Sequence, residues 1–355
     1  MYCDCGEHVL NADVIFLSLS GNSQSRTKNY FHGLTKEQVR TVWVDCSIRL
    51  LLHMIIGSHR QHLKSKSTKL VVASPSHILT IIIFILLQKR PVLDAGWPLF
   101  DGVVLSRRQF GFLGFKCMRT YILDFLAFQF SSKVFVESEP QKKRVSKLYF
   151  LPKRKIGVVE TGFDENRIEE FDLLPRDLNL DIFQVIFRGG NQRESGLEIL
   201  ATSILPPESN KPGLIFRIIT NSEESRFPDM NWIKFTSRRL SDQDLFNEYI
   251  KSNLALGQLS THKRLKWTIP HKFFEAAYFG LPYLTANSSL METYRLIDCV
   301  AVFEAGDSFD LIEKIEALSR NKERCQELGS RFKSLYETNF SQKVLARKLL
   351  SLLYE

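Results

Sequence analysis

The sequence predicts an α/β protein built of two Rossmann-like halves, and three observations carry this. Short apolar runs alternate with stretches of helical spacing along most of the chain. The runs are apolar throughout rather than apolar at every second position, which marks parallel strands covered on both faces. The rhythm breaks once, at the polar residues 164–181 around Pro175, and then starts again. At 355 residues the chain has room for two full cores. The divisions read as a first half over 1–163, a linker over 164–181, a second half over 182–340 and a closing helical segment over 341–355.

In the first half, residues 13–19 (DVIFLSL) form a strand that runs into the glycine-containing loop Ser20-Gly21-Asn22-Ser23, and a helix follows over 27–34. Residues 39–45 form the second strand, 48–62 have helical spacing, and 70–73 form the third strand. Ser74-Pro75-Ser76 opens a helix through the run 78–87. Residues 91–94 form a fourth strand ending in Asp94, and 133–136 a fifth, with a helix over 139–149. Ligands of such sheets gather at the C-terminal ends of the strands. Gly21, His77 and Asp94 therefore share one rim. His77 reads as a local cap at a helix start. Asp94 reads either as a cap of the next turn or as a group that orients a substrate hydroxyl.

In the second half, residues 182–187 form a strand leading into Arg188-Gly189-Gly190-Asn191-Gln192-Arg193-Glu194-Ser195-Gly196, with a helix from about Glu194. Glycines at a strand end let backbone N–H groups approach a diphosphate, and a helix N-terminus adds partial positive charge. Strands follow over 213–219 and 232–235, a helix over 242–250, an apolar run over 253–259 and a last strand over 299–303. The most informative stretch is 269–285, IPHKFFEAAYFGLPYLT. It reads as a helix capped by Thr268 with Pro270 just inside its start, a Gly280 stop, a Leu281-Pro282 turn and a strand. The helix is apolar on most sides, and Lys272 and Glu275, three apart, share a face. On residues alone this is either a salt bridge on the one wet side or a binding site.

Composition narrows the class. Apolar residues make up 44% and charged residues 25%, as in an ordinary globular protein. The net charge of +9 suits anionic lipid or a phosphorylated substrate. Nucleic acid is excluded as a partner, because no zinc-finger, RNP-like or long arginine-rich segment is present. The basic runs 141–147 and 152–155 read as solvated faces. The six cysteines are scattered and Cys3-x-Cys5 is no zinc spacing, so free thiols in a reducing cytoplasm are expected, and no metal site. The N-terminus has no signal-peptide pattern. The apolar run 78–87 is far short of the ~20 residues of a spanning helix. Residues 110–130, broken by Lys116, Arg119 and Asp124, read as amphipathic helices, able to rest on a membrane surface or simply to pack on a core.

The string P-x-K-x-x-E-A-x-x-x-G-x-P followed by a strand resembles the donor-site motif of GT-B fold glycosyltransferases, especially the large retaining family four. Residues 155–164, KIGVVETGFD, resemble the K-I-x-V-x-x-N-G-V-D segment that closes the N-terminal domain there, with Thr161 at the asparagine's place. The resemblance implies a GT-B architecture: two Rossmann-like domains whose parallel sheets face a central cleft, with the last helix crossing back to the first domain. It implies that Glu275 holds the ribose of a sugar nucleotide and that the loop with Gly189, Gly190 and Ser195 holds its diphosphate. The family usually carries G-R-x-x-x-x-K-G here. This chain has Gly190 and Ser195 at the two basic places, so Arg188 and Arg193 are expected to substitute. The first acid of the family's E-x7-E signature falls on Trp267. A basic residue assists departure of the nucleoside diphosphate, by stabilising the charge it gains; Lys272 and Arg193 are the candidates, with Lys263, Arg264 and Lys266 nearby. Asp94 would orient the acceptor, and Gly21 would meet donor phosphate or acceptor. The expected activity is sugar transfer from a nucleotide-diphosphate donor to a polysaccharide or glycolipid-type acceptor. It proceeds with retention and without metal, and needs no cofactor besides the nucleotide sugar. The expected place is the cytoplasm, peripheral to an anionic membrane. A non-catalytic binding relative and a sugar-nucleotide epimerase are the alternatives.

Overall fold

The computed structural model describes residues 11–355 apart from 20–24, 48–52, 55, 58–59, 107–113, 174–180, 191, 206–210, 221–226, 228–229, 239 and 295. Gly21 and its loop, Cys3 and Cys5 therefore lie outside the described residues. The chain divides into two compact units, residues 1–164 together with 341–355, and residues 165–340.

The first unit is built on a six-stranded sheet ordered β2-β1-β3-β4-β5-β6. The strands are β1 (Val14–Leu19), β2 (Thr41–Cys46), β3 (Lys69–Val72), β4 (Val92–Gly96), β5 (Val134–Val136) and β6 (Ile156–Val158). Every pairing is parallel. Successive side chains on a strand point to opposite faces, and β1 shows the consequence. Ile15 and Leu17 join a core with Leu79, Ile83 and Phe128. Val14 and Phe16 join a second core with Tyr30, Phe135 and Leu349. Both faces are thus buried, which explains why the strand sequences are apolar throughout. The second core is closed by the helix Gln342–Tyr354, whose Leu345, Ala346 and Leu349 are fully buried. The apolar run after Ser76 is the helix His77–Leu87, and among the described residues no helix is long and apolar enough to cross a membrane. Of the helical stretch expected over 48–62, residues 48–52, 55 and 58–59 are outside the described set, and a helix Arg60–Lys64 follows.

One polar residue of this unit has a role different from that expected, and another has partners beyond the expected turn. His77 does not cap its helix. It is fully buried, with Nδ1 2.6 Å from Asp124 Oδ1 and its ring against Phe128. Asp124 also accepts from the Phe100 N–H and the Tyr149 hydroxyl, which makes it a hub joining three segments. Asp94 is fully buried as well. Its carboxylate accepts from the Thr27 hydroxyl at 2.8 Å and the Gly96 N–H at 2.9 Å, and lies 3.2 Å from Nε of the buried Arg26. Arg26 also pairs with Glu137 and donates to the Val159 carbonyl. Burial pushes the Asp94 carboxyl up despite the guanidinium beside it. Asp94 thus caps the turn at Gly96, as one of its two readings had it, and ties the helix Ser25–Lys36 to β4, with its oxygens turned inward.

The second unit has its own six-stranded sheet, ordered β12-β11-β10-β7-β8-β9. Its strands are β7 (Phe183–Arg188), β8 (Leu214–Ile219), β9 (Ile233–Thr236), β10 (Leu254–Leu256), β11 (Tyr283–Ala286) and β12 (Ala301–Phe303), again all parallel. The chain starts in the middle at β7, winds outward to β9, then returns to β10 on the other side of β7. That reversal is a topological switch point, where helices on opposite faces leave a crevice at the C-terminal strand ends. One face packs Val185, Phe187, Leu256 and Leu284 with Leu200 and Ile315. The other carries edge-to-face aromatics: Phe273 against Tyr283, Phe332 and Phe340.

Candidate functional site

The helix expected within 269–285 is His271–Tyr278, one residue later than its sequence suggests. Thr268 is not its cap. The Thr268 hydroxyl donates to the Arg264 carbonyl, and Pro270 itself is the N-cap, in an extended conformation without a side-chain bond. Gly280 stops the helix at φ +61°, a conformation costly for any residue with a Cβ. The helix starts at the crevice between β7 and β10 and buries Phe273, Phe274, Ala276 and Ala277. Lys272 and Glu275 are buried too, so the supposed wet side is not wet.

They do not pair with each other. Lys272 Nζ donates to the Gly257 carbonyl, just past β10, and sits 4.5 Å from the ring centroid of Phe187 on β7. Burial above all, and then the positive charge of Arg188, push its ammonium down to about 7, with Glu275 opposing. Arg188 ends β7, and its Nη1 donates to both carboxylate oxygens of Glu275. The Tyr249 hydroxyl donates to the same carboxylate at 3.0 Å. Burial alone would push the Glu275 carboxyl up, but the Arg188 charge and hydrogen bond outweigh it and hold the group below its ordinary value. Burial, with the Glu275 charge added, pushes the Tyr249 phenol well up.

In front of this cluster is a cavity of about 410 Å³ at the switch point. Arg188, Gly189, Gly190, Ser195 and Lys272 all line it, and so does the helix start at Pro270 and His271. Sequence reasoning thus named five of its residues. It missed Arg167 and Arg238, which line the cavity beside Asp242. Arg167 had been read as linker, and it pairs with Asp242 at 2.8 Å. Arg238 follows β9 on the same rim as Arg188, and that placement was the available signal. Arg193 is exposed on the turn after Gly190 and does not line the cavity. Arg264 pairs with Glu194 at 3.0 Å, and the Ser260 hydroxyl donates to the Glu194 carbonyl, so together they fasten the glycine-rich loop. The helix after that loop begins at Leu197 rather than Glu194, because Gly196 stands at φ +71°. A Cβ there would lie 2.8 Å from the Ser260 nitrogen, so only glycine brings the two loops this close.

The arrangement can hold an anion. Four cationic side chains and one carboxylate, together with strand-end backbone and a helix start, surround one crevice. A second, larger cavity of about 690 Å³ opens at the opposite rim of the same sheet, where Phe183, Leu214 and Pro282 begin or precede strands. It lacks the glycine-rich loop, and parallel sheets of this kind do not carry their nucleotide sites there.

Residues 203–351 match a family model described as "Glycosyl transferase-like". No curated protein matches the chain by sequence. Among solved structures, HepE from Anabaena, in complex with UDP, superposes with a TM-score of 0.65 at 13% identity, over 96% of this chain and 99% of that one. A glycosyltransferase from Rickettsia africae gives 0.60 at 14% identity, over 97% and 98%. Sucrose-phosphate synthase from Thermosynechococcus elongatus gives 0.65 at 10% identity, also over 97% and 98%. At these identities the likeness establishes the fold, which is GT-B.

Proposed function

We propose that this chain, a member of the GT-B fold glycosyltransferase superfamily, transfers a sugar from a nucleoside-diphosphate donor to a glycan or lipid-linked acceptor. The observation that carries the proposal is the cationic cavity at the β7/β10 switch point. A diphosphate there meets Arg188, Arg238 and Lys272 together with backbone N–H groups of the glycine-rich loop. As the acceptor oxygen bonds to the anomeric carbon, the bond from that carbon to the diphosphate breaks. The departing oxygen gains charge, and fixed cations lower the energy of that state. We assign this role to Lys272 and Arg188 in place of the basic pair absent at Gly190 and Ser195, and the ribose contact to Glu275. Arg193 and Asp94 drop out of the proposal on their positions. Retention and independence from metal belong to the same reading.

Uridine diphosphate is the first ligand to test, because Anabaena HepE is known in complex with UDP and with UDP-glucose. The expected result is calorimetric binding of one nucleoside diphosphate, weakened roughly tenfold to a hundredfold by Glu275→Ala, and enzymatic release of that nucleotide from its sugar donor. Absence of binding by UDP, GDP and ADP alike would overturn the proposal. Gly190 and Ser195 favour a second reading, a nucleotide-binding protein without transfer; binding without donor turnover would select it.

An anionic membrane is the surface we assign to the first unit. On the helix Phe115–Phe130, Phe115, Met118 and Ile122 are 74%, 57% and 45% exposed. Their spacing puts them on one face, beside the exposed Lys116 and Arg119.

A further inference from the structure

The carboxylate assigned to the ribose is not open to the cavity. Glu275 is 2% exposed and is absent from the cavity lining, whereas Arg188, 36% exposed, is part of it. The guanidinium stands between the two, bonded to both oxygens of the carboxylate. Tyr249 holds the carboxylate from its other side. A ribose hydroxyl can reach Glu275 only if Arg188 turns away.

We infer that Arg188 is a phosphate-operated latch: a diphosphate entering the cavity draws its guanidinium off Glu275, and this frees the carboxylate for the ribose. The inference rests on the donor-site reading above and adds a specificity rule to it. Separating this pair without a replacement partner is costly, because it leaves the buried Glu275 carboxylate desolvated and without its cation. A neutral nucleoside offers Arg188 nothing in exchange. A diphosphate offers a doubly bonded, charge-assisted contact that suits the planar guanidinium. Glu275 keeps the Tyr249 hydroxyl bond throughout and gains the ribose hydroxyls in place of Arg188. Phosphate and ribose recognition are therefore linked, and the site discriminates against nucleosides more strongly than the loss of phosphate contacts alone dictates. Linkage of this kind is reciprocal.

The test uses three probes on the full chain: UDP, uridine and inorganic pyrophosphate. With the latch, saturating pyrophosphate tightens uridine binding by about fivefold or more, the lower range of ordinary coupling. In Arg188→Gln the enhancement vanishes, and uridine alone binds at least as well as it does to the wild type while UDP binds more weakly. Uridine affinity unaffected by pyrophosphate in a wild type that binds UDP would overturn the latch and leave the donor site standing. So would an Arg188→Gln variant that is weakened equally toward uridine and UDP. A wild type that binds no nucleotide overturns the donor-site reading, and the latch with it. The pyrophosphate linkage is measured on the wild type, so the test survives a variant that fails to fold.

Discussion

Lys272→Met is the perturbation that probes the site most directly. Buried beside Arg188, the Lys272 ammonium titrates at about 7. A bound diphosphate adds negative charge within the same cavity and favours the protonated form. Binding above that pH therefore takes up a proton, and affinity falls as pH rises through 7. For a group with this value the charged fraction falls about tenfold between roughly pH 6 and pH 8, which corresponds to ~1.4 kcal/mol of binding free energy. The nucleotide's own phosphate also titrates near neutral pH. The quantity to follow is therefore the ratio of wild-type to Lys272→Met affinity for UDP, from calorimetry at each pH. The nucleotide's titration is common to the two proteins and cancels. Glu275 and Arg188 keep their charges throughout the window. The expected ratio is about tenfold larger near pH 6 than near pH 8. A ratio that does not change with pH would refute the reasoning. The same shift has a stability consequence of defined sign. The folded value is below the ordinary one of 10.5, so between about 7 and 10.5 the unfolded chain binds more protons. The wild type therefore gains stability as pH rises across that window, and Lys272→Met lacks this gain.

Two further outcomes are expected. Arg26→Met leaves Asp94 buried without its cation and lowers stability by about 3–5 kcal/mol, read from urea denaturation at neutral pH; a loss below ~1 kcal/mol would show that the pair is dispensable. Replacing Phe115 and Met118 together by serine keeps the fold and abolishes flotation of the protein with anionic vesicles at low salt, whereas equal flotation of both proteins would remove the membrane assignment.

The legible parts of this structure are those set by local chemistry. Apolar runs predicted the strands, because both faces of each sheet are covered and both sets of side chains on a strand such as β1 are mostly apolar. Gly280 and Pro282 marked the end of the donor-side helix, because few other residues fit a left-handed stop and a tight turn. Three partnerships were missed for one reason, a polar side chain whose partner is remote in sequence. Glu275 meets Arg188 from 87 residues away. His77 meets Asp124 from 47 away, and Asp94 accepts from Thr27 across 67. A strand-end acid looks the same in sequence whether it faces water or a buried arginine. Thr268 failed for a nearer reason: its hydroxyl had a carbonyl to donate to, and a proline could stand as cap without one. Arg193 failed because a charge count around a glycine-rich loop does not say which way the turn points its side chains.

The helix Gln342–Tyr354 completes the first unit although the whole of residues 165–340 intervenes. Four of its five leucines, at 345, 349, 352 and 353, are buried with Val14, Phe16 and Tyr30, at roughly 1.5–3 kcal/mol each. During synthesis the first unit therefore emerges with one face of its sheet only partly covered, by Tyr30 and Leu34. It waits, at about 5–20 residues per second, for some ten to thirty seconds while the second unit is made. The second unit, contiguous in sequence, folds as soon as it clears the ribosome. A chain released just short of residue 341 would carry a complete second unit joined to a first unit that lacks part of its core. Closure of the first unit's second core thus waits on the last fifteen residues, 341–355, however early its strands are made.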